Sequence, residues 1–279
     1  MNSVGNNVWN SYSDILPINR AIPFPTPSAE DGVINVYTKA SALGHGWVWE
    51  IPTQERRGNG YAFSNCYVDE ETAVQEFSHH IGYNIDSPRI INFSAGSLEK
   101  QWYKNVVAVG LSSSFVEPLE ATSIGSTIQQ MKSLIQNLTG YRPNHEKLIN
   151  VHNQKMNIMM ENLLSMVRLH YISDRSDTNF WKDQNNWKIP EYLQNLLEIW
   201  QERPPITTDI AGNNFELFHA AHFWHVAQGQ GILKKERSFN VLEMFGRRDM
   251  TDKIIDDLII EQSNHGLVDH AEALKALYR

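Results

Sequence analysis

The protein is a chain of 279 residues with a net charge of −8, long enough for one large domain or two small ones and too acidic for a typical phosphate-binding surface. Its lone cysteine, Cys66, excludes a disulfide framework and fits a cytoplasmic location. No apolar run approaches the about 20 residues that a membrane helix needs, so we expect neither a nucleic acid nor a membrane as a partner.

The first third of the chain predicts short strands and turns. Residues 1–34 are punctuated by prolines, which favour an extended loop with room for one edge strand. The apolar alternation over 47–51 and the aromatic run over 61–63 predict a β-hairpin. Its turn is expected near 54–60, where Gly58, Asn59 and Gly60 favour tight turns. Asp69 is predicted to cap a short helix that continues through Phe77.

The rest of the chain combines one predicted strand with several helices. The β-branched run over 106–110 predicts a buried strand, and the apolar spacing that follows Thr122 predicts a helix ending at Gly140. Further helices are predicted over 146–171 and near 190–201, 213–228 and 250–264. The fold class is therefore predicted as α+β, with a strand-containing active-site region over 1–142 and a mainly helical, substrate-side lobe over 143–279.

Three histidines, His219, His222 and His225, have a spacing that invites a metal site. On a helix the outer two lie about 120° apart, and no carboxylate motif accompanies them. Polar or core histidines near an aromatic cluster are therefore the favoured interpretation, and no metal is expected.

Two other patterns have both a structural and a functional interpretation. Trp47, Trp49 and Ile51 share one face of the predicted strand, either as core or as a wall beside a planar ligand. Glu120 precedes a helix N-terminus, where backbone N–H groups favour an anion. An ordinary cap, with Thr122 as N-cap and Glu120 complementing the dipole, is the simpler interpretation. The alternative places Glu120 at a cleft and lets the amides of Thr122 and Ser123 hold an anion.

Four ordered motifs over about residues 10–240 resemble the flavin-dependent halogenases of the tryptophan-halogenase type. They are W-x-W-x-I-P at 47–52, F-V-E-P-L-E-A-T at 115–122, L-H-Y with R-S-D-T-N-F-W between 169 and 181, and G-Q-G-I at 229–232. The resemblance implies part of an FAD-monooxygenase-like sheet region followed by a helical lobe. It also implies that reduced FAD, supplied by a separate flavin reductase, acts with O₂ and a halide ion to halogenate an electron-rich, indole-like aromatic substrate.

The resemblance also assigns roles to individual residues. Glu120 matches the catalytic carboxylate, which steadies the cationic intermediate and accepts its proton. The other matched positions are the passage wall at Trp47, Trp49, Ile51 and Pro52, the FAD contacts Leu111 and Ile124, the halide amides of Thr122 and Ser123, and the substrate-side pair Phe223 and Trp224.

The departures from the family concern the cofactor and the substrate. The G-x-G-x-x-G fingerprint and the catalytic lysine belong to an N-terminal stretch of the family that this sequence lacks. The chain is thus expected to be a fragment, half of a split enzyme or a remnant, with a separate N-terminal half or a second copy as partner. His219 and Gln228 replace the Glu and Asn of tryptophan-specific members, which argues against free tryptophan. A hydroxylating flavin monooxygenase and a non-catalytic protein that binds aromatics or a partner remain alternatives.

Overall fold

The computed structural model describes residues 7–28, 35–140, 142, 146–210, 215–237, 260 and 270–277. The chain divides into two compact units. The first consists of Met1–Asn19 with Asn92–Leu233, and the second of Arg20–Ile91 with Lys234–Arg279. The helix predicted near 250–264 lies, apart from residue 260, outside the described residues. The regions 1–142 and 143–279 remain a prediction about the organisation of the chain.

In the described residues all ten strands lie before residue 116 and six of the seven α-helices lie after residue 121, which confirms the predicted α+β class. In chain order the strands are β1 (Trp9–Ser11), β2 (Arg20–Pro27), β3 (Lys39–Ala42), β4 (Gly46–Pro52), β5 (Arg56–Phe63), β6 (Ile91–Asn92), β7 (Gly96–Leu98), β8 (Trp102–Tyr103), β9 (Val106–Val107) and β10 (Ser114–Phe115). The α-helices are α1 (Glu70–Ile81), α2 (Thr122–Leu138), α3 (Glu146–Leu169), α4 (Asn179–Gln184), α5 (Glu191–Trp200), α6 (Ala220–Gly229) and α7 (His270–Leu277).

The second unit is built on a five-stranded sheet with the order β3-β4-β5-β2-β6. The pairs β2–β5, β3–β4 and β4–β5 are antiparallel. Helix α1 buries Ala73 and Phe77 in a core shared with residues of β4 and β5, including Val48 and Tyr61. The side chain of Asp69 accepts a hydrogen bond from the backbone N–H of Thr72, so the predicted cap is confirmed.

The prediction of a loop with one edge strand over residues 1–34 is wrong, because β1 and β2 both form there. The prolines of β2 lie at alternate positions, 23, 25 and 27. Backbone donors also alternate along a strand, so these prolines remove N–H groups from one edge only. The other edge stays able to pair with β5 over the full length of β2.

The predicted hairpin forms from β4 and β5, but its turn lies at 53–55 rather than 54–60. Gly58, Asn59 and Gly60 belong to β5. Gly60 is required by packing instead of by a turn, since a Cβ built there would lie 1.9 Å from Cζ2 of Trp49. The indole of Trp49 therefore crosses the neighbouring strand at Gly60, where β5 has no side chain.

Replacing Gly60 with alanine is expected to displace Trp49 and to lower the free energy of unfolding by about 1–3 kcal/mol, the usual cost of overpacking. Thermal unfolding and tryptophan fluorescence would measure both effects. Gly58→Ala is the matched control, because its Cβ would meet only the carbonyl oxygen of Ile51, at 3.7 Å. Equal melting temperatures and spectra for the two variants would contradict the explanation.

In the first unit a three-stranded sheet, β1-β7-β10, and the ribbon β8-β9 accompany helices α2 to α6. Helix α3 confirms the helix predicted over 146–171 and buries Met156, Met159 and Val167. The predicted buried strand at 106–110 is wrong. Strand β9 has two residues, Val106 is exposed, and Gly110 begins a 3-10 turn with φ 62°. Among the described residues no helix is long and apolar enough to cross a membrane.

Candidate active site

Glu120 lies in a 3-10 turn, Leu119–Ala121, immediately before α2. Glu120 and Ala121 both have left-handed backbone conformations, with φ values of 66° and 49°. Non-glycine residues rarely adopt this conformation, and it is concentrated at functional sites. Ala121 is the N-cap and makes no side-chain cap hydrogen bond, while Thr122 is the first helical residue. The interpretation of Thr122 as an ordinary N-cap is therefore wrong.

The carboxylate of Glu120 pairs with His170, at the end of α3. Nε2 of His170 lies 2.9 Å from Oε1 of Glu120, and Nδ1 lies 2.9 Å from the carbonyl oxygen of Met166. A carbonyl only accepts, so Nδ1 carries a hydrogen. Nε2 of His170 is thus placed to hydrogen-bond with the carboxylate of Glu120, and the two side chains form a pair.

The neighbours of Glu120 favour its ionised form. The hydrogen bond from His170 lowers the pKa of Glu120 below its usual range, and electrostatic interactions with His170 and His222 act in the same direction. Partial burial opposes them but does not prevail. The result is a carboxylate ready to accept a proton at neutral pH.

A residue of the G-Q-G-I motif hydrogen-bonds to the backbone of His170. The side-chain amide of Gln230 donates a hydrogen bond of 2.6 Å to the carbonyl oxygen of His170. Gln230 follows the last residue of α6, and Gly231 has a left-handed φ of 72° that lets the chain turn there. Two of the sequence motifs, L-H-Y and G-Q-G-I, therefore meet at the residue that holds Glu120.

Glu117, the other acid of the E-P-L-E segment, is completely buried. Its Oε1 accepts a hydrogen bond of 3.0 Å from the backbone N–H of Ile18, and its Oε2 accepts one from the hydroxyl of Tyr171. Burial raises the pKa of Glu117 to about 8, although both hydrogen bonds and the charge of Arg168 oppose the rise. Glu117 therefore links the active-site segment to the start of the chain and to the L-H-Y motif, and it is protonated in much of the population at neutral pH.

Protonation of Glu117 makes stability depend on pH. Its folded-state pKa lies above the unfolded value, so the native state binds the proton more tightly. The contribution of Glu117 to the free energy of unfolding is expected to be largest below pH 4.5 and to fall by a few kcal/mol, in order of magnitude, as the pH rises to about 8. Glu117→Gln, whose amide oxygen can accept from the N–H of Ile18 and whose NH₂ can donate to the hydroxyl oxygen of Tyr171, has no charge and should flatten this slope in urea unfolding measured at several pH values. Glu198→Gln, on the exposed side of α5, is the control and should leave the slope of the free energy of unfolding against pH unchanged. An equal slope in the unchanged protein and both variants would show that Glu117 does not cause it.

The R-S-D-T-N-F-W segment packs around Tyr171. Trp181 stacks on Tyr171 with centroids 6.1 Å apart, and Phe180 meets Tyr171 edge-on at 6.3 Å. The guanidinium of Arg175 lies 4.7 Å from the Trp181 centroid and pairs with Asp177 at 2.7 Å. This segment therefore fixes Tyr171, and through it Glu117, rather than facing a ligand directly.

A small cavity lies at the N-terminus of α2. Its volume is about 10 Å³, which accommodates about one water-sized species. The lining residues are Gly110, Leu111, Ser114, Phe115, Val116, Thr122, Ser123, Ser126, Met160 and Leu163. The first N–H groups of a helix have no intrahelical partner, and Ala121 provides no side-chain cap. The cavity is thus suited to a single small anion.

The remaining predicted site residues have varied surroundings. Leu111 and Ile124 are exposed, with Leu111 also lining the cavity. Phe223 is buried against Trp200, at a centroid distance of 5.7 Å, whereas Trp224 is half exposed.

The predicted passage wall belongs to the second unit. Trp47 and Trp49 lie with centroids 5.8 Å apart, Ile51 is exposed and Pro52 is half-buried. Trp47 is buried, and its Nε1 has no hydrogen-bond partner within the described part of the chain. An unpaired buried indole N–H is unfavourable, which is unlike an ordinary core tryptophan.

The sequence did not single out His170 or Gln230 as functional. Both stand inside recognised motifs, but the contact of His170 with Glu120 and that of Gln230 with His170 each join residues 50 or more positions apart. The histidines His219 and His222 cap α6 instead, with the backbone N–H of His219 donating to Nδ1 of His222 at 3.0 Å. In the described ranges, no group of three histidine, cysteine or acidic residues is arranged to hold a metal ion.

Comparison with known proteins identifies relatives of this chain. The family model described as tryptophan halogenase matches residues 1–244. An uncharacterized protein of Sinorhizobium fredii, y4xG, is 32% identical over 84% of this chain and 46% of its own length. Tryptophan 6-halogenase SttH of Streptomyces toxytricini is 31% identical over 72% of this chain and 39% of its own length.

Solved structures agree with these relatives. The chain is similar to Xcc4156, a flavin-dependent halogenase from Xanthomonas campestris, with a TM-score of 0.84 and 29% identity. The match covers 97% of this chain and 54% of Xcc4156. BrvH, a flavin-dependent halogenase from Brevundimonas sp. BAL3, gives a TM-score of 0.82 at 26% identity, covering 98% and 55% of the two chains. The chain therefore spans about half the length of the proteins that it matches.

Proposed function

Because the chain belongs to the tryptophan halogenase family, we propose that it forms the active-site portion of a flavin-dependent halogenase acting on an electron-rich, indole-like aromatic compound. The observation that carries the proposal is the ionised Glu120, paired with His170 directly before a helix N-terminus that opens on an anion-sized cavity. A general base and an anion site in one short segment match the needs of halogenation.

Exposed apolar side chains beside the cavity are suited to contact one side of a bound flavin. Leu111 and Ile124 present exposed apolar side chains at and next to the lining of the cavity, where they would contact the cofactor. The sequence has no G-x-G-x-x-G fingerprint, so the family's pyrophosphate contacts are not provided by this chain. When bound, reduced FAD would supply two electrons that reduce O₂ to the peroxide level, and this oxidant would convert a halide ion to hypohalous acid, with water as the other product. A separate flavin reductase is proposed as the source of the reduced cofactor.

The halide is proposed to bind in the cavity at the start of α2. The backbone amides of Thr122 and Ser123 would donate to the ion, assisted by the helix dipole. Ser126 adds a polar group to the lining, and Met160 and Leu163 close it with apolar surface. A monatomic anion fits this volume better than a larger oxyanion does.

Glu120 is proposed to act on the aromatic substrate. The halogen of the hypohalous acid bonds to a ring carbon, the bond between halogen and oxygen breaks, and the hydroxide takes up a proton from solvent and leaves as water. The ring is then positively charged until that carbon loses its own proton. The carboxylate of Glu120 stabilises this charge and accepts the proton, after which the ring is aromatic again. The low pKa of Glu120 keeps it ionised for this role.

The substrate side remains a proposal based on the family motifs. Trp224 offers a half-exposed ring on α6, while Phe223 anchors the helix against Trp200. His219 and Gln228 provide no carboxylate for a substrate ammonium, so an indole-like compound other than free tryptophan is proposed. Trp47, Trp49, Ile51 and Pro52 are proposed to line a passage for the hypohalous acid, on the W-x-W-x-I-P resemblance. The unpaired Nε1 of Trp47 supports a ligand-facing role for this strand.

The test is a reconstituted reaction in which the chain is combined with the N-terminal half of a family member. A flavin reductase, FAD, O₂ and a panel of indoles are supplied with and without chloride or bromide. Halogenated product that requires the halide supports the proposal. Hydroxylated product that forms without halide would show a monooxygenase instead, and FAD binding with no product in any condition would show a non-catalytic protein.

A further inference from the structure

Two segments that are separate in the sequence line most of the cavity at the start of α2. One is the chain over 110–116, which we call the loop wall, and the other is the first part of α2 over 122–126, which we call the helix wall. Gln130 lies four residues after Ser126 and therefore on the same face of the helix. Its side chain is completely buried, although it is not among the residues that line the cavity.

Gln130 closes a ring of three hydrogen bonds with two residues of the loop wall. The backbone N–H of Gly110 donates to Oε1 of Gln130 at 2.7 Å, and Nε2 of Gln130 donates to Oγ of Ser113 at 2.7 Å. The hydroxyl of Ser113 donates in turn to the carbonyl oxygen of Gly110 at 2.8 Å. Turning the amide of Gln130 over would set its NH₂ group against the N–H of Gly110, so the orientation of the amide is fixed.

A fourth hydrogen bond completes the surroundings of Gln130. Its Nε2 also donates to Oε1 of Gln101 at 3.2 Å, so both hydrogens of the amide nitrogen have acceptors. Buried hydrogen bonds are directional, and a buried polar group that loses its partner is unfavourable. Gln130 therefore holds the loop wall at one distance from α2.

The loop wall lies very close to the helix where the ring forms. Gly110 has a left-handed φ of 62°, and a Cβ built there would lie 3.3 Å from Oγ1 of Thr127, which is closer than ordinary van der Waals contact. Leu111 and Ser114, which line the cavity, directly follow the two ring residues Gly110 and Ser113. The width of the cavity thus depends on the distance that the ring sets between the loop wall and α2.

We propose that Gln130 is a positioning residue that sets the width of the halide cavity and thereby its preference for chloride over bromide. The inference rests on the proposed binding of a halide in this cavity. Chloride is the smaller ion and gains most from donors held close around it, whereas bromide tolerates a wider site. A cavity of about 10 Å³ whose loop wall is held by the ring favours the smaller ion. Gln130 acts through the loop wall and does not contact the ion.

The test measures halide binding by this chain itself, without flavin or turnover. The chlorine-35 NMR signal broadens when chloride exchanges with a site on a protein, so a chloride titration followed by displacement with bromide gives both dissociation constants. Gln130→Met keeps nearly the length of the side chain without its hydrogen bonds. It is expected to weaken chloride binding by about 10-fold and to lower the preference for chloride over bromide by about 3-fold, effects on the scale of one or two lost hydrogen bonds.

The neighbouring glutamine supplies the matched control, and the ring supplies a second variant. Oε1 of Gln129 has no hydrogen-bond partner among the residues that the structure describes, so Gln129→Met should bind both halides as the unchanged chain does. Ser113→Ala opens the same ring with a smaller change of side chain and should shift the halide preference in the same direction. The double variant Gln130→Met, Ser113→Ala should bind chloride no more weakly than Gln130→Met, because the ring is already open.

Circular dichroism would first establish that each variant is folded, and Ser113→Ala carries the test if Gln130→Met does not fold. Equal weakening of chloride and bromide binding is the result of a merely structural role and would overturn the inference. Unchanged binding, additive losses in the double variant, or no chloride binding by the unchanged chain would overturn it as well. A halide preference that depends on Gln130, with no halogenated product in the reconstituted reaction, would support this inference while contradicting the proposed function.

Discussion

Replacing Glu120 with glutamine is expected to lower halogenation by about 10²–10⁴-fold in the reconstituted reaction proposed above, the range typical of losing a general acid–base group. Glutamine has nearly the same shape and can still hydrogen-bond to Nε2 of His170, so the turn before α2 should persist. It has no negative charge to stabilise the cationic ring and cannot accept its proton. Product formation under saturating halide, followed by mass spectrometry, measures the loss.

The control separates this loss from damage to the flavin chemistry. Reduction of FAD and its reoxidation by O₂, followed by absorbance, should be unchanged in Glu120→Gln, because the carboxylate is assigned to the aromatic substrate. Glu198→Gln, which removes an exposed carboxylate of α5, should retain full halogenation. Full product formation by Glu120→Gln would show that another group accepts the proton. A parallel loss of flavin oxidation would show that Glu120 acts in the reaction of the flavin with O₂ instead.

Local features of the fold could be predicted because their causes lie within a few residues. Asp69 caps α1 through a hydrogen bond to Thr72, three positions along, and the helix beginning at Thr122 follows from apolar spacing alone. The run at 106–110 shows the limit of local reasoning. A β-branched sequence is the same whether its strand is buried or exposed, and here β9 pairs only with the short β8.

Packing partners distant in sequence account for the features that were not predicted. Gly60 is a glycine because of Trp49 on the neighbouring strand, although its sequence context is typical of a turn. The spacing of Ile128 and Ile135 predicts a helix but cannot indicate which side is buried, since that depends on Gln130 finding partners at Gly110 and Ser113.

The candidate site shows the same division between motif and contact. Glu120 could be recognised from the E-P-L-E motif, because the motif is contiguous. Its pairing with His170 and the support from Gln230 could not, since these contacts join three segments. The left-handed conformations of Glu120 and Ala121 have no signature in a sequence without glycine at those positions. They appear only when the chain between β10 and α2 is seen in three dimensions.

Replacing His170 with glutamine is expected to move the acid limb of the pH profile for halogenation to higher pH. The hydrogen bond from His170 and its electrostatic interaction lower the pKa of Glu120, and burial raises it. Without His170, less opposes the effect of burial, which raises the pKa of Glu120. The pKa of Glu120 therefore rises, and a smaller fraction of Glu120 is ionised at a given acidic pH. At a pH well below that pKa, the ionised fraction and the rate fall about tenfold when the pKa of Glu120 rises by about 1. Measured in the reconstituted reaction, kcat should fall most at the acid end and least above neutral pH.

His170 is a positioning residue in this account, because it acts through Glu120 and not on the substrate. The apparent KM for the aromatic substrate should therefore change little in His170→Gln while kcat changes with pH. His225→Gln, at an exposed position on α6, is the matched control and should keep the original profile. A uniform loss of kcat at every pH, with the acid limb unmoved, would show that His170 only maintains the local fold. A shifted limb with an intact melting temperature would show that His170 sets the ionisation of Glu120 through the 2.9 Å contact between Nε2 and Oε1.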